Sequence, residues 1–144
     1  QGSIGKKGMV LNCESRRTHN IFTEDGIEHD YLHMDGQEVY KFAVRQCPKC
    51  LLEALEKADM TADDIDYFVL HQANVRIIES VAKRLKAPIE KFPMTLGYTG
   101  NMSAASVPVM LDSLVRDGGL KRGDKVAMSA FGAGLTYGAI VLEW

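Results

Sequence analysis

The stretch VLHQANVRII, residues 69–78, joins a predicted strand to a predicted helix and decides how the rest of the chain is interpreted. Residues 67–70 (YFVL) are apolar and favour β-structure, as expected of a strand that is covered on both faces. After Asn74 the apolar residues recur at spacings of three and four, which is typical of an amphipathic helix. These residues are Ile78, Val81, Ala82 and Leu85.

His71 is therefore predicted at the carboxyl end of a strand, directly before a helix. Open α/β sheets usually bind their ligands at this edge. The position alone leaves two interpretations open, a histidine with a purely structural role and a histidine in a functional site.

Hydrophobic periodicity and turn residues predict the other elements of the chain. In chain order they are a strand at 9–13, an extended loop at 14–30, helices near 37–46 and 48–58, a helical turn capped by Thr61 and Asp64, a strand at 66–70 and a helix at 75–86. A further helix is predicted after Asn101, with a buried stripe of Val107, Leu111, Leu114 and Val115. Two strands, 126–131 and 135–142, flank a glycine-rich break and are expected to pair antiparallel.

These elements predict an α/β fold in one domain, residues 1–144, because this length can enclose a single hydrophobic core. The sheet is expected to be mixed, with helices on both faces. Its last two strands are expected to be central and buried, since neither alternates cleanly with polar residues. Residues 1–3 (QGS) are interpreted as a cloning remnant and left out of the predicted fold.

The composition is typical of a soluble globular protein, with 46% hydrophobic and 25% charged residues. A formal net charge of -2 gives no reason to expect a nucleic-acid partner. The sequence contains neither an apolar run of membrane-spanning length nor a secretory leader, so no membrane association is expected. Three cysteines do not make a disulfide framework, and a cytoplasmic location is expected.

Cys47 and Cys50 form a C-x-x-C pair, which is a candidate redox or zinc motif. The sequence has no second such pair, His71 does not complete a zinc-finger spacing, and the pair lies inside a helical pattern. We therefore expect neither a redox site nor a metal site here. Pro48 is expected to begin a second helix or to kink the first.

Two further stretches combine glycine with small residues. GYTGNMSAASVP (97–108) places Asn101 between a glycine loop and a helix of small residues, and AFGAGLTYGA (130–139) exposes backbone with few side chains. Each stretch alone has an ordinary interpretation, since glycine turns and asparagine caps are common.

Together and in this order, HQAN, GN-x-SAASVP and AFG-x-G-x-T-x-G resemble the β-ketoacyl-acyl-carrier-protein synthase III family of the thiolase superfamily. MDGQEVYKFAV (34–44) is similar to the first helix of that family's C-terminal half, so the resemblance covers residues 34–144. It implies a thiolase-like half-domain with a mixed five-stranded sheet. It also implies that an N-terminal half, which carries the nucleophilic cysteine in the family, is absent from this chain.

The resemblance further implies roles for particular residues. His71 and Asn101 would be the two N–H donors that stabilise the enolate formed when the malonyl thioester loses CO₂. Six residues would line the pantetheine tunnel: Gly36, Tyr40, Ala73, Asn74, Ile77 and Phe131. Gly132, Ala133 and Gly134 would form its narrow, largely backbone-walled entrance. Acyl carrier protein would dock on the basic residues Lys41, Arg76, Lys83 and Arg84.

The implied substrates are acyl-CoA and malonyl-phosphopantetheine thioesters, with no permanently bound cofactor and no metal. The implied partners are acyl carrier protein, the N-terminal half and a second copy of the protein in a homodimer. Two alternatives stay open: a relative that loads polyketide starters in secondary metabolism, and a non-catalytic half-domain that only binds acyl carrier protein. The pairing of His71 with Asn101 favours an enzyme, because a docking module needs neither residue.

Overall fold

The computed structural model describes residues 1–13, 22 and 31–144. Its strands are β1 (Gly2–Ser3), β2 (Leu11–Asn12), β3 (His33–Met34), β4 (Tyr67–Leu70), β5 (Lys125–Gly132) and β6 (Thr136–Glu143). Its α-helices are α1 (Gly36–Lys57), α2 (Val75–Leu85), α3 (Leu96–Thr99) and α4 (Ser106–Arg116). Short 3₁₀ helices span Gly5–Val10, Ile89–Lys91 and Ser103–Ala105. The predicted loop at 14–30 lies outside the described residues, apart from Phe22.

The described residues form a mixed sheet of four strands, in the order β1-β6-β5-β4, beside a two-stranded ribbon of β2 and β3. β4 runs parallel to β5, and β6 runs antiparallel to both β5 and β1. The predicted strand 66–70, helix 75–86 and antiparallel final pair are thus confirmed. The prediction of five strands is wrong for the described residues. Residues 1–3, which were left out of the predicted fold, contribute β1, because Gly2 and Ser3 pair with Tyr137 and Thr136 as an edge strand.

Helices cover both faces of the sheet, as predicted. Successive side chains of β4 pack alternately against the helices on the two faces. Phe68 and Leu70 join the core cluster that contains the apolar stripes of α1 and α2. Val69, between them, joins a second cluster with Met110 of α4 and Val126 of β5. Successive side chains of a strand point to opposite faces, so one apolar run serves both cores.

A single helix, α1, replaces the two predicted helices, with Pro48 in its interior. A proline inside a helix costs about 3 kcal/mol, since it removes one backbone hydrogen bond and crowds the preceding turn. The buried stripe runs across Pro48 without a break: Val39, Phe42, Ala43, Cys47, Cys50, Leu51 and Leu55. Each large member contributes roughly 1.5–3 kcal/mol through burial, which outweighs that penalty.

Near the N-terminus and before β4, the predicted elements differ from the structure. Of the strand predicted at 9–13, only β2 is extended, because a 3₁₀ helix occupies Gly5–Val10. Thr61 and Asp64 make the predicted capping contacts, with the Thr61 N–H and hydroxyl donating to the Asp64 carboxylate at 2.8 and 2.7 Å. They close an isolated turn rather than a helical turn.

The predicted buried stripe of α4 is only partly correct. Val107, Leu111 and Leu114 are half-buried, Val115 is exposed, and Met110 is the apolar side chain that is fully covered. The final strands are central in the sheet, but β6 is not buried, since Ile140 is 54% exposed. This face of β6 therefore has less helical cover than the face against α1. Among the described residues no helix combines the length and hydropathy needed to cross a membrane.

Candidate functional site

His71 lies one residue beyond β4, at the carboxyl edge of the sheet. Its N–H donates to the Ser129 carbonyl at 2.9 Å and extends the pairing of β4 with β5. Its ring packs edge-to-face on Phe131 of β5, with 5.3 Å between the ring centroids. Burial lowers the pKa of His71 below its ordinary value. The imidazole is therefore neutral at neutral pH and can carry a hydrogen on the nitrogen that faces a ligand.

Phe131 connects His71 to the glycine-rich hairpin. Because β4 and β5 are parallel neighbours, their carboxyl ends meet at one edge, and Phe131 contacts both His71 and Phe42 of α1. Gly132 and Gly134 are half-buried and Ala133 is exposed in the hairpin that follows. The structure therefore brings two of the three predicted motifs together, HQAN and AFGAG. Phe42 belongs to this cluster and was missed from the sequence, where it is simply one apolar residue of a helix stripe.

Asn101 is exposed and follows α3. Its Oδ1 accepts a hydrogen bond from the Ser103 N–H at 2.9 Å, which fixes the orientation of the amide. Its Nδ2 has no partner among the described residues, so both of its hydrogens are available to a ligand. The side chain can therefore act as an uncharged N–H donor.

The predicted tunnel residues differ in exposure. Gly36, Tyr40 and Asn74 are exposed, Ala73 and Phe131 are half-buried, and Ile77 is buried. Ile77 packs in the core with α1 and β4, so only a small part of its side chain is available to a ligand. The Oδ1 of Asn74 caps α2 by accepting from the Arg76 N–H at 2.9 Å, and its Nδ2 stays free among the described residues.

The predicted docking residues are all exposed, but they fall into two groups. Arg76, Lys83 and Arg84 lie on α2 and have no carboxylate within 4.0 Å among the described residues. Lys41, by contrast, pairs with Glu38 at 2.9 Å, and Lys7 pairs with the same carboxylate at 2.7 Å. These two lysines lower the pKa of Glu38 to about 2. The positive charge of Lys41 is therefore partly neutralised before any partner approaches.

The C-x-x-C thiols are buried on the face of α1 that packs against β5. The Cys50 Sγ lies 3.5 Å from the Ser129 Oγ and donates to the Cys47 carbonyl at 3.3 Å. Burial raises the pKa of Cys47 to about 12 and also raises that of Cys50. Both side chains are thus neutral thiols at neutral pH, which is unfavourable for a nucleophile or a metal ligand. Within the described part of the chain, no cluster of three metal-ligating side chains occurs.

Gln72 and a surface hollow were not predicted. The Gln72 side chain is fully buried and hydrogen-bonds Leu70, Pro93 and Thr95. The hollow, of about 520 Å³, lies between the C-terminal ends of α1 and α2 and the 60–63 turn. Since α2 leads away from His71, the hollow is at the opposite end of that helix from the candidate site.

Gly134 is expected to be required for the hairpin of the site. Its φ is +133°, and an added Cβ would meet the Thr136 Cγ2 at 2.6 Å. Gly134→Ala should therefore lower the free energy of unfolding by about 1–3 kcal/mol or more, from backbone strain together with the close contact. Urea denaturation followed by circular dichroism measures this loss.

Gly132→Ala is the matched control, because a Cβ at Gly132 meets no atom within 4 Å and its φ is not positive. Its free energy of unfolding should stay unchanged or rise slightly, since alanine reduces the freedom of the unfolded chain. Equal losses for the two variants would contradict the strain argument.

This chain is similar to known proteins both in sequence and in fold. Residues 55–144 match the family model described as 3-oxoacyl-[acyl-carrier-protein (ACP)] synthase III C terminal. The beta-ketoacyl-[acyl-carrier-protein] synthase III of Synechococcus sp. (strain WH7803) is 46% identical over 147 residues, which cover 99% of this chain and 43% of the relative. The chain thus spans about two fifths of the length of that relative.

Two solved structures share the fold. The 3-oxoacyl-[acyl-carrier-protein] synthase III from Aquifex aeolicus VF5 has a TM-score of 0.87 and 36% identity, over 99% of this chain and 42% of that one. The priming beta-ketosynthase from the R1128 polyketide biosynthetic pathway has a TM-score of 0.84 and 38% identity, over 99% and 43%. The predicted thiolase-like fold is confirmed. The similarity also extends beyond residues 34–144, to nearly the whole chain.

Proposed function

The chain belongs to the 3-oxoacyl-[acyl-carrier-protein] synthase III family, and from this premise we propose that it is the C-terminal catalytic part of such an enzyme. The reaction is the condensation of an acyl-CoA primer with malonyl-acyl carrier protein, which initiates fatty acid synthesis in the cytoplasm. The N-terminal part supplies the cysteine that takes the acyl group. This chain supplies the donors for the second half-reaction. The observation that carries the proposal is the position of His71 at the carboxyl end of β4, where its ring is held against Phe131 and burial lowers its pKa.

The second half-reaction explains why these residue types are needed. When the malonyl carboxylate leaves as CO₂, its electron pair moves into the thioester and negative charge develops on the carbonyl oxygen. The enolate carbon then attacks the acyl-cysteine carbonyl, and the cysteine thiolate leaves. A donor aimed at the enolate oxygen lowers the barrier by about 2.7–4 kcal/mol. His71 Nε2 and Asn101 Nδ2 are the proposed donors, and neither brings a positive charge that needs a counter-ion.

The remaining side chains of the site shape the approach of the substrate. The hairpin at 132–134, with two glycines, presents backbone to the pantetheine arm. Gly36, Tyr40 and Ala73 line the rest of the pantetheine tunnel. The Nδ2 of Asn74 donates to the arm while its Oδ1 remains on the α2 cap. The substrates are thioesters of coenzyme A and of phosphopantetheine, with no permanently bound cofactor.

Product analysis tests the proposed reaction. The full-length protein is incubated with acetyl-CoA and malonyl-acyl carrier protein, and the carrier protein is examined by mass spectrometry. A β-ketoacyl product on the carrier protein supports the proposal. Carrier protein that retains its malonyl group, with binding but no turnover, would instead favour the non-catalytic docking half-domain.

A priming ketosynthase of polyketide synthesis is the second candidate. The observation that favours it is the 38% identity and TM-score of 0.84 with the R1128 enzyme. Both candidates use the same donors, so they differ in primer and not in the chemistry of this half. Competition between acetyl-CoA and longer acyl-CoA primers in the same assay separates them.

Docking of acyl carrier protein is proposed on α2, through Arg76, Lys83 and Arg84. Replacing Arg76 and Lys83 by glutamate should raise the KM for malonyl-acyl carrier protein and leave turnover of a small malonyl-pantetheine thioester unchanged. Charges at the rim of an interface act mainly on encounter and are screened by salt. The wild-type KM for the carrier protein should therefore rise with ionic strength, as steady-state kinetics at several salt concentrations will measure.

Lys6 and Lys121 provide the matched control, because both are exposed and lie outside α2. Their double replacement by glutamate makes the same change in net charge and should leave the KM for the carrier protein near the wild-type value. An equal rise in both double variants would attribute the effect to net charge and not to a docking site on α2.

A further inference from the structure

Gln72 is a fully buried amide between the two predicted donor segments. Its Nε2 donates to the Leu70 carbonyl at 2.9 Å and, over a longer distance of 3.4 Å, to the Pro93 carbonyl. Its Oε1 accepts from the Thr95 N–H at 3.0 Å. Three of the four hydrogen-bonding positions of the side chain are therefore used, all by backbone groups.

The Leu70 carbonyl lies on the outer edge of the sheet. The His71 N–H belongs to the same peptide and points at β5, so in a trans peptide the Leu70 carbonyl points away from β5. β4 is the last strand of the sheet on this side within the described residues. Gln72 thus occupies the free edge of β4, directly after His71, and attaches the 93–95 segment there.

The 93–95 segment leads to Asn101 through a short, internally bonded path. The Thr95 carbonyl accepts hydrogen bonds from the N–H groups of Tyr98 and Thr99 and from the Thr99 hydroxyl, at 2.9–3.0 Å. The Gly100 N–H donates to the Leu96 carbonyl at 3.2 Å. Thr95 is itself fully buried. A displacement of Thr95 is therefore passed to the backbone that carries Asn101.

A second contact holds the same segment against β4, but it acts farther from the candidate site. Phe92 stacks on Phe68 with 4.7 Å between the ring centroids and 8° between the planes. Stacked rings fix the spacing of the segment but tolerate sliding, whereas hydrogen bonds fix register. The register between His71 and the path to Asn101 thus depends on the Gln72 amide.

We propose that Gln72 is a positioning residue, which sets the separation of the His71 and Asn101 donors by attaching the Asn101 segment to the edge of β4. This inference rests on the proposed function, because it concerns the enolate-forming half-reaction. Gln72 itself touches no substrate, and the acyl transfer onto the cysteine does not depend on it.

The test uses the full-length protein with Gln72→Leu, which keeps the approximate size of the side chain and removes all three bonds. Decarboxylation of malonyl-acyl carrier protein should fall about 100-fold, since a displacement on the order of 1 Å has an effect of that size. The loss should lie in kcat, with KM unchanged. Acyl transfer from acyl-CoA to the cysteine should proceed at the wild-type rate.

Gln46→Leu is the matched control. Gln46 lies on α1, and its Oε1 is buried without a hydrogen-bond partner, so the same substitution there removes no hydrogen bond of that oxygen. Both half-reactions should be unchanged in this variant. Thermal unfolding of all variants is measured in parallel, and rates are compared well below the lowest melting temperature, so that lost stability does not imitate lost positioning.

Gln72→Glu gives a second measurement that a merely structural role would not move. A protonated carboxylic acid can donate to the Leu70 carbonyl and accept from the Thr95 N–H, whereas the carboxylate can only accept. Burial raises the pKa of a carboxyl group. The decarboxylation rate of this variant, relative to wild type at the same pH, should therefore fall as pH rises and the group ionises. A pH-independent ratio contradicts the proposal.

The double variant Gln72→Leu with Asn101→Ala separates positioning from general damage. If Gln72 acts through Asn101, the double variant decarboxylates no more slowly than Asn101→Ala alone, because coupled residues are not additive. Losses that multiply, or a Gln72→Leu variant with wild-type decarboxylation, overturn the inference. If His71→Ala and Asn101→Ala themselves retain wild-type decarboxylation, the proposed function fails instead, and the same assay distinguishes the two failures.

Discussion

Replacing His71 or Asn101 by alanine in the full-length protein is expected to lower malonyl decarboxylation by about 100- to 1,000-fold each. Transfer of the acyl group from CoA to the cysteine should continue at a rate close to wild type. The separation follows from the proposed roles, because the two proposed donors would interact with charge that develops only on the malonyl thioester and would stabilise one transition state and not the other. Release of CO₂ measures the first step, and mass spectrometry of the acylated protein measures the second.

Asn101→Asp is the sharper control for the Asn101 donor. The aspartate keeps an oxygen that can accept from the Ser103 N–H, as the Asn101 Oδ1 does at 2.9 Å, so the local turn is preserved. It loses the Nδ2 donor and places negative charge where the enolate oxygen would develop. Its decarboxylation should therefore be at least as slow as that of Asn101→Ala. Wild-type CO₂ release in either variant would remove Asn101 from the proposed site.

The position of His71 could be predicted from the sequence because two periodicities meet there. The run at 67–70 is too short and too apolar for a surface helix and therefore predicts a strand. The apolar residues after Asn74 have the spacing of an amphipathic helix. The junction of strand and helix is by itself enough to predict that this edge of the sheet binds a ligand. The separation of His71 from Asn101 could not be predicted, since it depends on the Gln72 amide and on the stacking of Phe68 on Phe92, which no local pattern reveals.

Pro48 and Ile140 show where local rules mislead. Proline predicts a helix boundary, but the apolar stripe of α1 passes through Pro48 unbroken, and packing against the sheet outweighs the local penalty. The apolar character of β6 predicts burial, yet Ile140 is 54% exposed in the chain described here. An apolar pattern predicts that a strand face is buried, but it does not indicate whether the same chain or another chain buries it.

The same limit applies to charge. Lys41 is one of four basic residues that resemblance assigns to docking, and nothing in its own helix pattern separates it from Arg76. The structure separates them, because Glu38 pairs with Lys41 while Arg76 has no acidic partner among the described residues. Charge–charge contacts between Lys7 and Glu38 join positions 31 residues apart, which composition cannot reveal.

The 144-residue chain by itself is expected to fold, to associate with copies of itself and to form no acyl-enzyme. Its two core clusters consist of buried side chains from its own helices and strands, which supports folding. Association is expected because Ile140 lies on the strand face that α4 does not fully cover, with Leu142 and Met128 of the same face only half-buried. Exposed apolar surface of this kind drives contact between subunits.

Ile140→Lys should therefore shift the isolated chain toward monomer, as measured by light scattering over a range of concentrations. Ile89→Lys is the control, because Ile89 is 40% exposed but belongs to a 3₁₀ helix away from this face. It should leave the association unchanged. A wild-type chain that is monomeric at every concentration would contradict the argument from the uncovered face.

Incubation of the isolated chain with acetyl-CoA should leave Cys13, Cys47 and Cys50 unmodified, as intact-mass spectrometry will measure. Cys47 and Cys50 are buried, and burial holds their pKa values above the ordinary value, about 12 for Cys47, so the attacking thiolate is scarce at neutral pH. Cys13 is exposed at the protein surface. Stoichiometric acetylation of any of the three, followed by condensation with a malonyl thioester, would overturn the proposal that the nucleophile lies in the N-terminal part.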